Sequence, residues 1–406
     1  MTDTPVATHY DVLILGGGFG GLCQARHLIR NIPGIKVAIV EPHSLEQLAE
    51  IEKIGESTVE IAAMFLGREL GLYDYLVEKQ QPKVGLAYHW PRDVTKTKSV
   101  KEDYISVWPT RNPKMPSWQI HRGRLERDLL LMNIADGVTW IHGKVTSLDL
   151  TAGTASNGAT VELADGSGSK EFRGDYLVDA ASRAFLTGRE KDNMLFGPKN
   201  LFGLQNGTAW VRVTGVQRET FLDGIDPDRT ITSQYYATNH WMGPGHWLWM
   251  IPITMGDEMQ LSLGVMYHHQ VIKGKDLDTR DKFMAFLKAN HEVLYDLVKD
   301  CKVDDFAHWS RPSHFCKQMF SPDRWYAIGD AAYFGDAFYS QGTSTIAFAI
   351  ESVTEIIRAS RANEADVERK RDAYDRFNRW WGANVVHLYR DHYKHLGHAG
   401  AMSSRI

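Results

Sequence analysis

With 406 residues the chain is too long for one small module, and its composition, 43% hydrophobic and 24% charged with a net charge of −4, is that of a globular protein able to bury a large core. No basic block interrupts it, which excludes nucleic acid as a partner. The three dispersed cysteines, Cys23, Cys301 and Cys316, make neither a disulfide framework nor a CxxC motif, so the expectation is a reducing cytoplasm and no structural metal.

Residues 10–15, YDVLIL, read as a short buried strand, lacking the basic start and long apolar core of a secretory signal. No run along the chain approaches the roughly 20 apolar residues of a membrane span. Six glycine-rich residues follow the strand, then an amphipathic helix from about Leu22 to Arg30 and a second strand, KVAIVE, ending in Glu41. Residues 59–80 carry helical spacing through Ile61, Phe65, Leu72, Leu76 and Val77. Gly85 to Trp90 and Tyr104 to Trp108 read as strands, and residues 119–133 as a helix with Leu125, Leu129 and Leu130 on one face. From 138 to 180 the chain alternates as a β-meander with turn residues between strands. Residues 205–270 are strand-rich again (TAWVRVTG, TSQYYAT, HWLWMIPI, MQLSLGVMYH), and a helix is expected over 279–300. A strand from Trp325 leads into Gly329-Asp330, a glycine turn, a long helix over about 342–360 and an aromatic helical stretch over 365–395. The order fits an α/β fold in which a Rossmann-type lobe is interrupted by a β-rich one. Twelve tryptophans could serve either that core or a pocket for flat ligands.

The glycine loop carries Gly16-x-Gly18-x-x-Gly21, with Phe19 and Gly20 inside it. The first glycine permits the tight turn, the second lets backbone approach a pyrophosphate, and the third lets helix and strand pack closely. Phosphates then sit at a helix N-terminus, where free N–H groups favour anions. Glu41 ends the next strand at a distance suited to a ribose diol. Alone, GxGxxG is an ordinary glycine turn; strand, loop, helix, strand and acidic end in register point to a dinucleotide, without separating NAD from FAD.

The segment Trp325 to Ala332, a strand ending in GDA, resembles the ribityl-binding signature of FAD monooxygenases, with Asp330 accepting from a ribityl hydroxyl. Three further segments are similar to those of the flavin-dependent halogenases: HWLWMIP at 246–252 to WxWxIP, GEST at 55–58 to GE(S/A)T, and FGDAFYSQG at 334–342 to FxDPxxSxG. PKVGLAYHW at 82–90 is similar to the KxGxxFxW segment, which carries that family's catalytic lysine, here Lys83. The resemblance runs from residue 10 to about 390.

It implies a discontinuous FAD-binding lobe (1–90, 117–190 and 305–360), an inserted mixed β-sheet substrate lobe (91–116 and 191–304) and C-terminal helices (361–406), as in p-hydroxybenzoate hydroxylase. It also implies a two-component halogenase. A separate flavin reductase supplies reduced FAD, hypohalous acid forms from O2 and chloride or bromide, and Lys83 delivers it to an electron-rich aromatic. The halide would sit at the backbone N–H groups of Gln341 and Gly342, and the helix after Gly342 would point at the flavin. Trp247 and Trp249 would fill space beside the ring, and Ser57, Thr58, Arg122 and Thr343 complete the expected cofactor shell. Tyr339 stands where tryptophan halogenases place a glutamate before the turn serine, here Ser340. That resembles the phenol and pyrrole branch, where the substrate activates itself, and the expected substrate is such an aromatic, free or on a carrier protein. Two departures, Ala337 for proline and Ser182 for the glycine of DASGR, keep open a monooxygenase on the same fold that hydroxylates an aromatic substrate. A flavin carrier without turnover is a further reading, and no GxSxG elbow supports a serine hydrolase.

Overall fold

The apolar run at the N-terminus forms the strand His9–Leu15, and Val37–Glu41 lies parallel beside it, as the β-α-β reading requires. The computed structural model describes residues 8–50, 53–109, 115–151, 156–217, 234–255 and 258–404. His9–Leu15 also pairs in parallel with Ser169–Asp179, which in turn takes Trp325–Ala327 on its far side. Thr139–Asp149 extends the sheet beyond Val37–Glu41. Asn157–Leu163 runs antiparallel between the outer halves of the two long meander strands. The sheet is six-stranded and Rossmann-type, and segments far apart in sequence meet in it.

A second, seven-stranded sheet holds the tryptophan-rich strands. Its order is Lys302–Trp309, Asn206–Thr214, Glu258–His268, His246–Met255, Thr238–Gly243, Leu86–Pro91 and Tyr104–Val107. Leu86–Pro91 and Lys302–Trp309 both belong here, so the lobe boundaries expected at 90 and 305 move to the loops before Leu86 and after Trp309. Lys302–Trp309 escapes a sequence reading because Asp304 and Asp305 stand side by side and break the apolar alternation. The strand expected at TSQYYAT begins outside the described residues. Its described part is a short 3-10 turn, Gln234–Tyr236, and the strand starts at Thr238.

Two expected helices are broken. The 59–80 helix divides into Glu60–Met64, a π-helical turn Phe65–Glu69, and Tyr73–Lys79, with Gly71 at φ 69° between the last two. The 279–300 helix divides at His291, whose buried ring is bonded to the Tyr104 hydroxyl at 2.6 Å and to His246 at 2.8 Å. The helix Gly342–Arg361 is unbroken and packs on the first helix, Phe19–Asn31, where Thr354 meets Gln24 at 3.0 Å and His27 at 2.8 Å. A Cβ on Gly20 would stand 3.9 Å from both Ile328 and Ile346, so the first turns of the two helices lie close together. Helix Val367–Arg390 covers this layer. Among the described residues no helix is long and apolar enough to cross a membrane.

Candidate active site

The starts of the two buried helices, the tryptophan face of the second sheet and the loop 53–57 enclose a cavity of about 450 Å³. Its nucleotide end is built by the glycine loop. Gly16 has φ 102°, and a Cβ there would lie 2.6 Å from the Ala180 carbonyl oxygen. A Cβ on Gly21 would fall 2.0 Å from the Gly16 oxygen, so only glycine lets helix and strand approach this closely. Gly18, Phe19 and Gly20 line the space directly. Glu41 does not line it: its carboxylate accepts the Gly17 N–H at 2.7 Å and meets His43 at 2.5 Å. Arg122 lies over the Phe19 ring at 4.8 Å and donates to Ile54 O and Glu126. Glu126 is completely buried between Arg122 and Lys53. Burial favours its acid form, yet the two cations outweigh burial and hold it below the usual carboxylate range.

At the other end lie Asp330, Gln341, Gly342 and Thr343. Helix Gly342–Arg361 leaves its first amides without intrahelical acceptors, and a Cβ on Gly342 would meet nothing within 4 Å. Among the described residues the buried Thr343 hydroxyl has no hydrogen-bond partner and the Asp330 carboxylate has none. Burial raises Asp330, against the opposing charges of His314, Arg122 and Arg183. An uncovered acceptor, an orphaned hydroxyl, free helix-start amides and an open glycine cradle are what an FAD would satisfy here, so these residues fit that group. Among the described residues no cluster of His, Cys, Asp and Glu could hold a metal.

The departures from the halogenase pattern have local accounts. Ala337 accepts a hydrogen bond from the Ser340 N–H at 2.9 Å, so the turn forms without proline. Ser182 takes φ 51°, the left-handed conformation for which glycine is the usual residue.

Trp247 and Trp249 both line the cavity, their ring centroids 5.9 Å apart, and the Trp249 indole donates to Ser262 at 3.0 Å. Trp210 and Trp309 add a second, edge-to-face pair at 5.2 Å. Tyr339, expected at the reacting centre, does not line the cavity. Its hydroxyl meets His392 at 2.8 Å and its ring stacks on Tyr389, because the turn aims it at the C-terminal helix.

Lys83 is buried, 4% exposed, and stands just behind the cavity wall. Its ammonium donates to Ser57 Oγ at 2.8 Å and to the Thr58 carbonyl at 2.7 Å. Burial pulls it down to about 7, with Glu60 opposing. Thr58 also lies behind the wall, its hydroxyl donating to Trp118 O. Ser57 lines the cavity and is 2.8 Å from Thr238 Oγ1 and 3.1 Å from Ser340 Oγ. His240, also on the wall, stacks on Tyr88 at 4.8 Å and is kept neutral by burial, its pKa lowered to about 3.

Sequence reasoning did not assign Thr238, His240, Trp210, Lys53, Glu126 or the buried Glu56–Arg212 pair at 2.8 Å. Glu56 lies in the GEST loop and was within reach of that motif; the others carry no local pattern.

No family model matches the chain. It is 42% identical over 421 aligned positions to the protein "Flavin-dependent halogenase chlA" of Dictyostelium discoideum, an alignment covering 100% of this chain and 69% of that protein. Solved structures share its fold. The halogenase PltM superposes with a TM-score of 0.77 at 19% identity, over 96% of this chain and 78% of that one. The flavin-dependent brominase Bmp2 superposes with a TM-score of 0.73 at 21% identity, over 98% and 90% respectively.

Proposed function

The chain belongs to the flavin-dependent halogenases and is an FAD-dependent oxidoreductase; from that premise we propose that it halogenates an electron-rich aromatic, phenol- or pyrrole-like, through Lys83. The observation that carries the reading is the buried amine of Lys83, joined through one hydroxyl to the wall of a cavity that fits FAD. Reduced FAD, supplied by a separate reductase, would give two of the four electrons that O2 takes up, and chloride or bromide, oxidised to hypohalous acid, would give the other two.

Gly16, Gly18 and Gly21 would let the backbone approach the pyrophosphate, and Asp330 would accept from the ribityl chain. Ser57, on the loop 53–57, and Arg122, which donates to Ile54 O of that loop, would face the cofactor. The amides of Gln341 and Gly342 hold the halide without a cationic side chain. Trp247 and Trp249 occupy the side of the cavity where an aromatic substrate would otherwise reach the oxidant's source. Lys83, held just behind Ser57, receives hypohalous acid and presents it to substrate; lowered basicity lets the amine exist in both protonation states near neutrality. Ser340 reaches Ser57 from the turn before helix Gly342–Arg361, and Tyr339 holds that turn to the C-terminal helix. The PltM complex with phloroglucinol, a phenol, supports this substrate class. A carrier-bound acyl substrate belongs to the same reading.

The test is incubation of the protein with reduced FAD, O2 and bromide in the presence of a simple phenol. A halide-dependent brominated product is expected. Oxygenated product formed at the same rate without bromide would instead make the protein a hydroxylase. Lys83→Ala should abolish halogenation and keep FAD binding; preserved halogenation removes Lys83 from the reaction.

A further inference from the structure

The ammonium of Lys83 has no place on the cavity wall, yet the reaction above needs it to give up and regain a proton. Its side-chain neighbour within hydrogen-bond reach is Ser57, and Ser57 does face the cavity. The geometry points to Ser57 as a positioning residue that fixes the Lys83 amine and carries its proton to and from the cavity through Thr238 and Ser340. The inference rests on the halogenase reading for its purpose, but not for its geometry.

The hydrogen-bond capacities match. A serine hydroxyl has one donor and two acceptor sites. With Lys83 charged, Ser57 Oγ accepts from Lys83 Nζ at 2.8 Å and from Ser340 Oγ at 3.1 Å, and donates to Thr238 Oγ1 at 2.8 Å. All three sites are filled. With Lys83 neutral, the row can reverse: Ser57 donates to the Nζ lone pair and accepts from Thr238. In passing between the two states, one proton leaves Nζ for Ser57 as the Ser57 proton moves to Thr238 and the Thr238 proton moves into the cavity. No bond other than N–H and O–H is made or broken, and no electron is transferred. Thr238 and Ser340 both line the cavity, so the row ends where solvent, halide and product can exchange with it.

The second contact of Lys83, the Thr58 carbonyl at 2.7 Å, anchors the amine but cannot carry a proton, since a carbonyl only accepts. The charged groups that bear on Lys83 are few. Glu60, on the helix that follows the GEST loop, favours the ammonium, and His240, on the strand of Thr238, is neutral. Burial disfavours the charge on this amine, while Glu60 and the Ser57 and Thr58 acceptors favour it.

The experiment is NMR of the full-length protein with 13Cε-labelled lysine, Lys83 being assigned through Lys83→Arg. The Cε shift of Lys83 is followed against pH in the parent, Ser57→Ala, Ser57→Thr and Thr238→Val. Removing the acceptor of a charge-assisted hydrogen bond should lower the Lys83 midpoint by about one pH unit or more in Ser57→Ala. Ser57→Thr, which keeps the hydroxyl, should return it to the parent value. Thr238→Val should shift it in the same direction by less, and serves if Ser57→Ala does not fold. In halogenation, the acid limb of the pH–rate profile should move with the NMR midpoint. An unchanged midpoint in folded Ser57→Ala, or in both Ser57→Ala and Thr238→Val, overturns the inference. Absence of halide-dependent product in the parent would overturn the halogenase reading and leave the titration result standing.

Discussion

Gly264 lies directly across from Trp249 on the neighbouring strand, and a Cβ there would fall 2.1 Å from the indole ring. The glycine is the space into which Trp249 folds flat, with its N–H on Ser262 and its face on the cavity. Gly264→Ala should therefore push the indole into the cavity. A loss of about 1–3 kcal/mol in stability is expected from the overpacking, with weaker flavin uptake. Chemical denaturation together with flavin titration checks both, and wild-type values for the pair would mean the strand shifts to absorb the methyl group.

The glycine loop separates close approach from mere smallness. A Cβ on Gly21 overlaps the Gly16 oxygen at 2.0 Å, whereas one on Gly20 comes no nearer than 3.9 Å to Ile328 and Ile346. Gly21→Ala should destroy FAD binding, because the helix must move off the strand. Gly20→Ala should reduce affinity less than about tenfold, under roughly 1.4 kcal/mol. Fluorescence quenching of FAD by each variant measures the contrast, and equal losses would contradict it.

Asp330 sets stability against binding. Its carboxylate is half-buried on the cavity wall without a hydrogen-bond partner among the described residues, and desolvation raises its pKa. Asp330→Asn should make the protein without FAD more stable by about 1 kcal/mol, since an amide is cheaper to bury than a carboxylate. The same change should weaken FAD by about tenfold, the value of a hydrogen bond to a charged acceptor. Thermal unfolding without cofactor and isothermal titration with it read the two signs. A loss in both would show that Asp330 is structural.

Lys83 makes stability depend on pH. Its pKa is lowered to about 7 by burial, while an unfolded lysine titrates near ~10.4. Between these values the unfolded chain holds a proton that the folded chain lacks, so stability rises with pH across that window. Below it both states are protonated, and the folded state carries the whole cost of a buried cation. Lys83→Met removes that cost. The variant should gain about 1 kcal/mol or more over the parent at pH 6, and the gain should shrink as pH rises towards 10. Urea denaturation at pH 6, 8 and 9.5 is the measurement; a difference that ignores pH would mean Lys83 does not titrate there.

The nucleotide loop was legible in the sequence because everything it needs is local. The run of apolar residues to Leu15, the glycines at 16, 18 and 21 and the strand to Glu41 lie within one β-α-β unit, and backbone sterics alone dictate their arrangement. Strand alternation by itself likewise puts Trp247 and Trp249 on one face of His246–Met255. Only the tertiary structure decided which groups meet those residues. Ser57, Lys83, Thr238 and Ser340 come from four separate segments, and up to 283 positions separate the members of a single hydrogen-bonded contact. Tyr339 and Ser340 are adjacent in the chain, yet one turns to the C-terminal helix and the other to the cavity. Periodicity reports which face of an element is buried, but not what lies opposite it. In sequence Lys83 is marked only by the resemblance of its segment, and its basicity falls only where packing removes water from its amine.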